Sequence, residues 1–294
     1  MTLGRHDAEL YVPDGISAEA AMARADILAI GAHPDDLEIM ATSGILRARA
    51  DGARRFFGIV ATSGGATRCC QDAEAPDYLE TCGLRIREQK QAADLGEYAG
   101  LALLNWESQE IKDACFTPPD EDLKALIRQI RPREVFLHNP LDRHDTHVAV
   151  CLRSIGALRA VSRETGWHPE AVYGCENRRS LDWLVHCDRA VLTVSDPEEG
   201  TDRLLAAFAS QNTGNRRYVK AVRGRRIANA TFQDAPGAGD GGAELTFALD
   251  LLPLVEDPNT SVCDFATQIV ERVRADVKSR IERFSPGGPC RGHR

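Results

Sequence analysis

Residues 26–40 read DILAIGAHPDDLEIM. The first seven form a short apolar run suited to a buried strand, and it gives way at once to a histidine, a proline and two consecutive carboxylates. Pro34 restricts the turn, and either Asp35 or Asp36 suffices to cap the helix expected over roughly 38–51. A second carboxylate adds like-charge repulsion unless something cationic sits nearby. The stretch therefore predicts a strand end that is also a binding site, the usual place for ligands in open parallel α/β sheets.

Comparable runs ending in turn or charged residues occur at 55–65, 100–106 and 134–140, with helical patterns at 84–95, 119–130 and 145–161 between and after them. This alternation predicts an α/β protein of Rossmann-like, three-layer architecture, with a mostly parallel sheet flanked by helices. Further strands are expected at 171–177 and 189–195, a helix from Pro197 to about Ser210, a Gly/Asp/Ala-rich loop at 233–244, and an amphipathic helix at about 260–284 before a fraying terminus. Residues 1–24 read as an N-terminal extension, 25–232 as the catalytic domain, and 233–294 as a loop and helical extension. That last helix either covers the same domain or packs on a second copy of the chain, making a homo-oligomer.

With 294 residues and 43% apolar composition, the chain has ample material for a core. A net charge of −8 gives no global attraction to nucleic acid, and the one dense basic stretch, RRYVKAVRGRR at 216–226, reads as a solvated or substrate-anion-facing segment. No apolar stretch suits a membrane span or a secretory leader, so a cytoplasmic protein is expected. The nine cysteines are scattered and form no CxxC pair, which favours incidental thiols.

A second cluster, HNPLDRHDTHVAV at 138–150, also follows an apolar strand and precedes a helix. If the two strand ends converge, His33, Asp36 and His147 can hold one divalent ion with a position left for water. Asp35 cannot easily point the same way as Asp36 and becomes the candidate base. His144, three residues before His147, is the candidate that, protonated, stabilises an oxyanion or protonates a leaving nitrogen. Asp142 and Asp145 are candidates to orient His144 or a metal-binding histidine through its second nitrogen.

These residues resemble the LmbE/PIG-L family of zinc-dependent N-acetylglucosaminyl deacetylases. The stretch AHPDDLE and the histidine pair in PLDRHDTH carry the likeness, with RIREQKQAADLG (85–96), ATSGG (61–65) and FASQ (208–211) as weaker support. The resemblance covers about residues 25–232 and implies one Zn²⁺ per chain held by His33, Asp36 and His147, with Asp35 as base and His144 as oxyanion stabiliser. It implies a small acetylated amino-sugar conjugate as substrate. The family's second motif is usually His-x-Asp-His, whereas this chain reads His144-Asp145-Thr146-His147. Asp145 or Asp142 is then expected to replace the shifted acid.

For the substrate pocket, Arg85 is expected to bind a hydroxyl or anionic group, or else to pair with Glu88. Ser63 and Gly64 are expected to allow close approach of a ligand, and Trp106 to stack on a sugar ring or pack in the core. The polar excursion 66–83 is expected to shape specificity. Competing readings are a metal-dependent hydrolase of another amide or ester, a nucleotide-binding oxidoreductase, and a non-catalytic binding protein. The oxidoreductase lacks the required Gly-rich turn after the first strand.

Overall fold

The computed structural model describes residues 1–65, 78–213, 216–235 and 243–286. Most of the 66–83 excursion, the centre of the 233–244 loop and the last residues of the terminus lie outside the described residues.

In chain order the elements are β1 (Glu9–Tyr11), α1 (Ala18–Ala23), β2 (Ile27–Gly31), α2 (Asp36–Met40), α3 (Thr42–Asp51), β3 (Phe56–Thr62), α4 (Tyr78–Leu95), β4 (Gly100–Trp106), α5 (Ser108–Lys112), α6 (Pro118–Ile130), β5 (Glu134–His138), α7 (Asp145–Thr165), β6 (Ala171–Cys175), β7 (Ala190–Val194), α8 (Tyr218–Thr231), β8 (Glu244–Asp250), α9 (Leu252–Glu256) and α10 (Val262–Phe284). The strands make one sheet in the order β1-β4-β3-β2-β5-β6-β8-β7.

The sheet is mixed, which corrects the expectation of a mostly parallel one. Strands β4, β3, β2, β5 and β6 run parallel, whereas β1 adds antiparallel to β4, and β8 pairs antiparallel with both β6 and β7. Nothing in the alternating pattern announced β1, which lies in the stretch read as an extension. The central strands are apolar on both faces because both are covered. Along β2, Leu28 and Ile30 join a core with α6 and α7, while Ile27 and Ala29 join the opposite core with α2 and α3.

From β2 the chain passes through β3 and β4 on one side of the sheet, then returns to add β5 and β6 on the other. The carboxyl ends of β2 and β5 thus flank the point where the winding reverses, the crevice in which such sheets bind ligands. Ile30 pairs with Leu137, so the two motif-bearing turns leave the sheet side by side.

The helix expected from Pro197 to Ser210 is interrupted. Residues 198–204 form a π-type helix and 209–211 a separate 3₁₀ turn. Ser210 is drawn away to donate its backbone N–H (2.7 Å) and hydroxyl (2.6 Å) to the two oxygens of Glu88 on α4. The basic stretch 216–226 is exposed or half-exposed as expected, except at its last residue. Arg226 on α8 is 1% exposed and donates to the carbonyls of Glu38 and Ile39 and to the Thr42 hydroxyl, tying down the carboxyl end of α2. Burial pulls its guanidinium down to about 10, against Glu244, so it stays charged at neutral pH. On α10, Ile269 is buried and Phe265 and Val273 pack on the core, while Val277, Ile281 and Phe284 are exposed. Among the described residues no helix is long and apolar enough to cross a membrane.

Replacing Arg226 with Leu removes the donor to several buried acceptors and one of the two cations that face Glu244. The expected cost is about 3–5 kcal/mol of unfolding free energy, checked by urea denaturation.

Candidate metal centre and catalytic site

After β2 the chain makes a tight turn, with Asp36 N–H donating to the His33 carbonyl (3.2 Å) and His33 N–H to Asp36 Oδ2 (2.8 Å). The Asp36 side chain is thereby aimed back at the strand end. Its Oδ2 is approached by three imidazole nitrogens: His33 Nδ1 at 3.1 Å, His138 Nε2 at 3.3 Å and His147 Nε2 at 3.4 Å. Its Oδ1 accepts from Asn177 Nδ2 (2.9 Å). Burial opposes the charge on Asp36, but His147 and His138 outweigh it and hold the carboxyl well below the ordinary carboxylate range.

One ligand-type atom from each of His33, Asp36 and His147 falls within 4.8 Å of the others. His147 is fully buried, and its Nδ1 lies 3.2 Å from Asp142 Oδ2. Donating Nδ1–H to that carboxylate fixes the tautomer that leaves Nε2 with a free lone pair, and Nε2 has no hydrogen-bond partner among the described residues. Two imidazoles and a carboxylate with a buried, unpartnered nitrogen fit a divalent cation. His138, Asp142 and His147 form a second close group. There, however, His138 Nε2 already accepts from Ala32 N–H (3.0 Å) and His147 Nδ1 is committed to Asp142. His138 instead stacks on His147, with ring centroids 3.9 Å apart, and forms the floor of the site.

Asp35, although next to Asp36 in the chain, points elsewhere. It is 2% exposed, and its Oδ2 lies 3.1 Å from Arg85 Nη2. Burial lifts its carboxyl to about 6 while Arg85 pulls the other way. Its backbone is left-handed, φ 90°, ψ −23°, a conformation that costs a non-glycine residue about 1–3 kcal/mol.

His144 caps α7 with its ring centroid 5.0 Å from His33 and 4.5 Å from His147. Burial, then the neighbouring His147 and His33, lower it to about 4. That shift disfavours the protonated form expected for it. The acid of this segment is Asp142, whose Oδ1 accepts from His144 N–H (3.2 Å) and whose Oδ2 faces His147. Asp145 is exposed and makes no side-chain hydrogen bond among the described residues, so it does not replace the shifted acid.

The expected pocket residues divide. Arg85 is 1% exposed; it contacts Asp35 and donates to the Pro34 carbonyl rather than pairing with Glu88, and its Nε and Nη1 have no hydrogen-bond partner among the described residues. Gly64, at φ +70°, packs so closely that a Cβ would lie 2.9 Å from Pro34 Cδ. Ser63 is beside it and accepts from Cys82 Sγ at 3.2 Å. For Trp106 the structure selects core packing over stacking on a sugar: it is 4% exposed, donates Nε1–H to Asp122 (3.0 Å), and is covered by Gly4, whose Cβ would meet the indole at 2.8 Å. Sequence reasoning gave no role to Asn177, Gln89 or His138. His138 did lie in the second cluster, at the end of β5, and Gln89 within the 85–96 stretch.

Residues 28–155 match the family model described as PIG-L: GlcNAc-PI de-N-acetylase. Among curated proteins none matches the sequence. Solved structures share the fold, among them these three. N,N'-diacetylchitobiose deacetylase from Pyrococcus horikoshii is 16% identical, covering 79% of this chain and 85% of its own, at a TM-score of 0.59. A conserved protein from Thermus thermophilus is 19% identical over 81% and 99% of the two chains, at 0.57. The 4-carboxy-2-hydroxymuconate hydratase GalB from Pseudomonas putida is 14% identical over 77% and 96%, also at 0.57.

Asp142→Asn removes the charge that fixes the His147 tautomer. Zinc affinity is expected to fall about 10–100-fold, measured by competition with a chromophoric chelator.

Proposed function

We propose that this chain is a zinc-dependent N-deacetylase acting on an N-acetylglucosamine-type conjugate. The observation that carries the reading is the meeting of His33, Asp36 and His147 around one carboxylate oxygen, with the separately oriented Asp35 beside them. A non-catalytic binding protein has no need of that second carboxylate buried next to an arginine, and the family match over 28–155 supports the hydrolytic reading.

His33, Asp36 and His147 would hold the ion. Zinc, when bound, supplies Lewis acidity that polarises an amide carbonyl and acidifies water. Asp35 takes the proton from the attacking water and returns it to the departing amine. Arg85 keeps that carboxylate ionised against its burial. His144 donates its N–H to the oxygen that gains charge as the carbonyl carbon becomes tetrahedral. Ser63 and Gly64 form the wall of the pocket beside Pro34. Attack by water needs no covalent enzyme intermediate, consistent with buried Cys151 and Cys175, whose thiols burial pushes up and so out of nucleophilic range.

The test is to incubate the zinc-loaded protein with N-acetylglucosaminides bearing malate, inositol or phosphate groups, with N,N'-diacetylchitobiose, and with simple acetyl esters, and to measure free primary amine and acetate. Amine release from at least one sugar is expected. Asp35→Asn should lower kcat by about 10²–10⁴ while bound zinc is retained. Hydrolysis of esters alone, or release that is unaffected by Asp35→Asn, refutes the assignment.

A further inference from the structure

Asp35 holds a strained backbone, and a chain of buried hydrogen bonds reaches it from α4. Its amide N–H donates to Gln89 Oε1 (3.0 Å), a contact made across 54 residues. Gln89 Nε2 donates to Glu38 Oε1 (2.8 Å), which also accepts from the Tyr98 hydroxyl (2.7 Å). Gln89 and Glu38 are each 0% exposed and Tyr98 is 2% exposed. One turn earlier on α4, Arg85 grips the Asp35 carboxylate and the Pro34 carbonyl. Both backbone and side chain of Asp35 are therefore held from the same helix face.

The polarity of this chain of bonds is fixed. A backbone N–H only donates, so the atom of residue 89 facing Asp35 must be the amide oxygen, and Glu38 fixes the flip by accepting from the nitrogen. Stability alone gives no account of the cluster. Glu38 Oε2 is buried with no hydrogen-bond partner among the described residues, so the arrangement carries an uncompensated oxygen that an apolar residue would not.

We propose that Gln89, oriented by Glu38 and Tyr98, is a positioning residue that holds Asp35 in its left-handed conformation, with its carboxylate on Arg85 and apart from that of Asp36. The inference rests on the reading of Asp35 as the base.

Full-length, zinc-loaded variants test it. Gln89→Leu should lower kcat about a hundredfold, leave KM and zinc affinity unchanged, and show Asp35 released from positive φ in a crystal structure. Gln89→Glu sets two carboxylates face to face and should lower both kcat and Tm. The swap Glu38→Gln with Gln89→Glu restores the directions, because the carboxylate at position 89 accepts from Asp35 N–H and the amide at position 38 donates to it. Recovery of kcat and Tm together supports the proposal; recovery of Tm without kcat overturns it. Retention of wild-type kcat and Asp35 geometry in Gln89→Leu also overturns it, and if that variant does not fold, the swap decides. Wild-type protein that releases no amine from any substrate defeats the deacetylase reading, and the Asp35 conformation in Gln89→Leu then decides the inference alone.

Discussion

The site exists because β2 and β5 are parallel neighbours, with Ile30 opposite Leu137. Their pairing places the turn carrying His33, Asp35 and Asp36 beside the turn carrying Asp142, His144 and His147. Each turn alone is an electrostatic burden. Together they surround Asp36 Oδ2 with three imidazole nitrogens, and the carboxylate stays ionised although 1% exposed.

That convergence in turn demands support from outside the two turns. Helix α4 supplies much of it with one face, since positions 85, 88 and 89 are neighbours at helical spacing. Arg85 meets Asp35, Gln89 meets the Asp35 amide, and Glu88 fastens Ser210. From the far side, Arg226 holds the carboxyl end of the short helix whose first residue is Asp36. Each buried charge here has at least one ion pair or hydrogen bond, although Glu38 Oε2 and two nitrogens of Arg85 have no hydrogen-bond partner among the described residues.

The two histidine and aspartate clusters were legible because a strand end followed by clustered donors is an unusual local pattern. The mixed sheet was less so: β1 is three residues long, and the direction of β8 depends on which neighbours it finds rather than on its own residues. Trp106 and Arg85 stayed open between a ligand and the protein interior for one reason. Both are amphipathic side chains beside apolar segments, and local sequence does not tell whether such a group meets a ligand or another part of the chain. Gly4 covers the indole, and Asp35 rather than Glu88 receives the guanidinium.

Local sequence was enough to give the alternation of strands and helices, the identity of the donors at two strand ends, and the divergence of the adjacent Asp35 and Asp36 side chains, because these follow from periodicity and from side-chain direction over a few residues. Only the packed chain could establish that Asp142 and not Asp145 serves His147, that Asn177 and Gln89 reach the two aspartates, and that the basic stretch sends Arg226 inward. Each of those contacts depends on backbone turns, sheet order and packing that no run of residue types encodes.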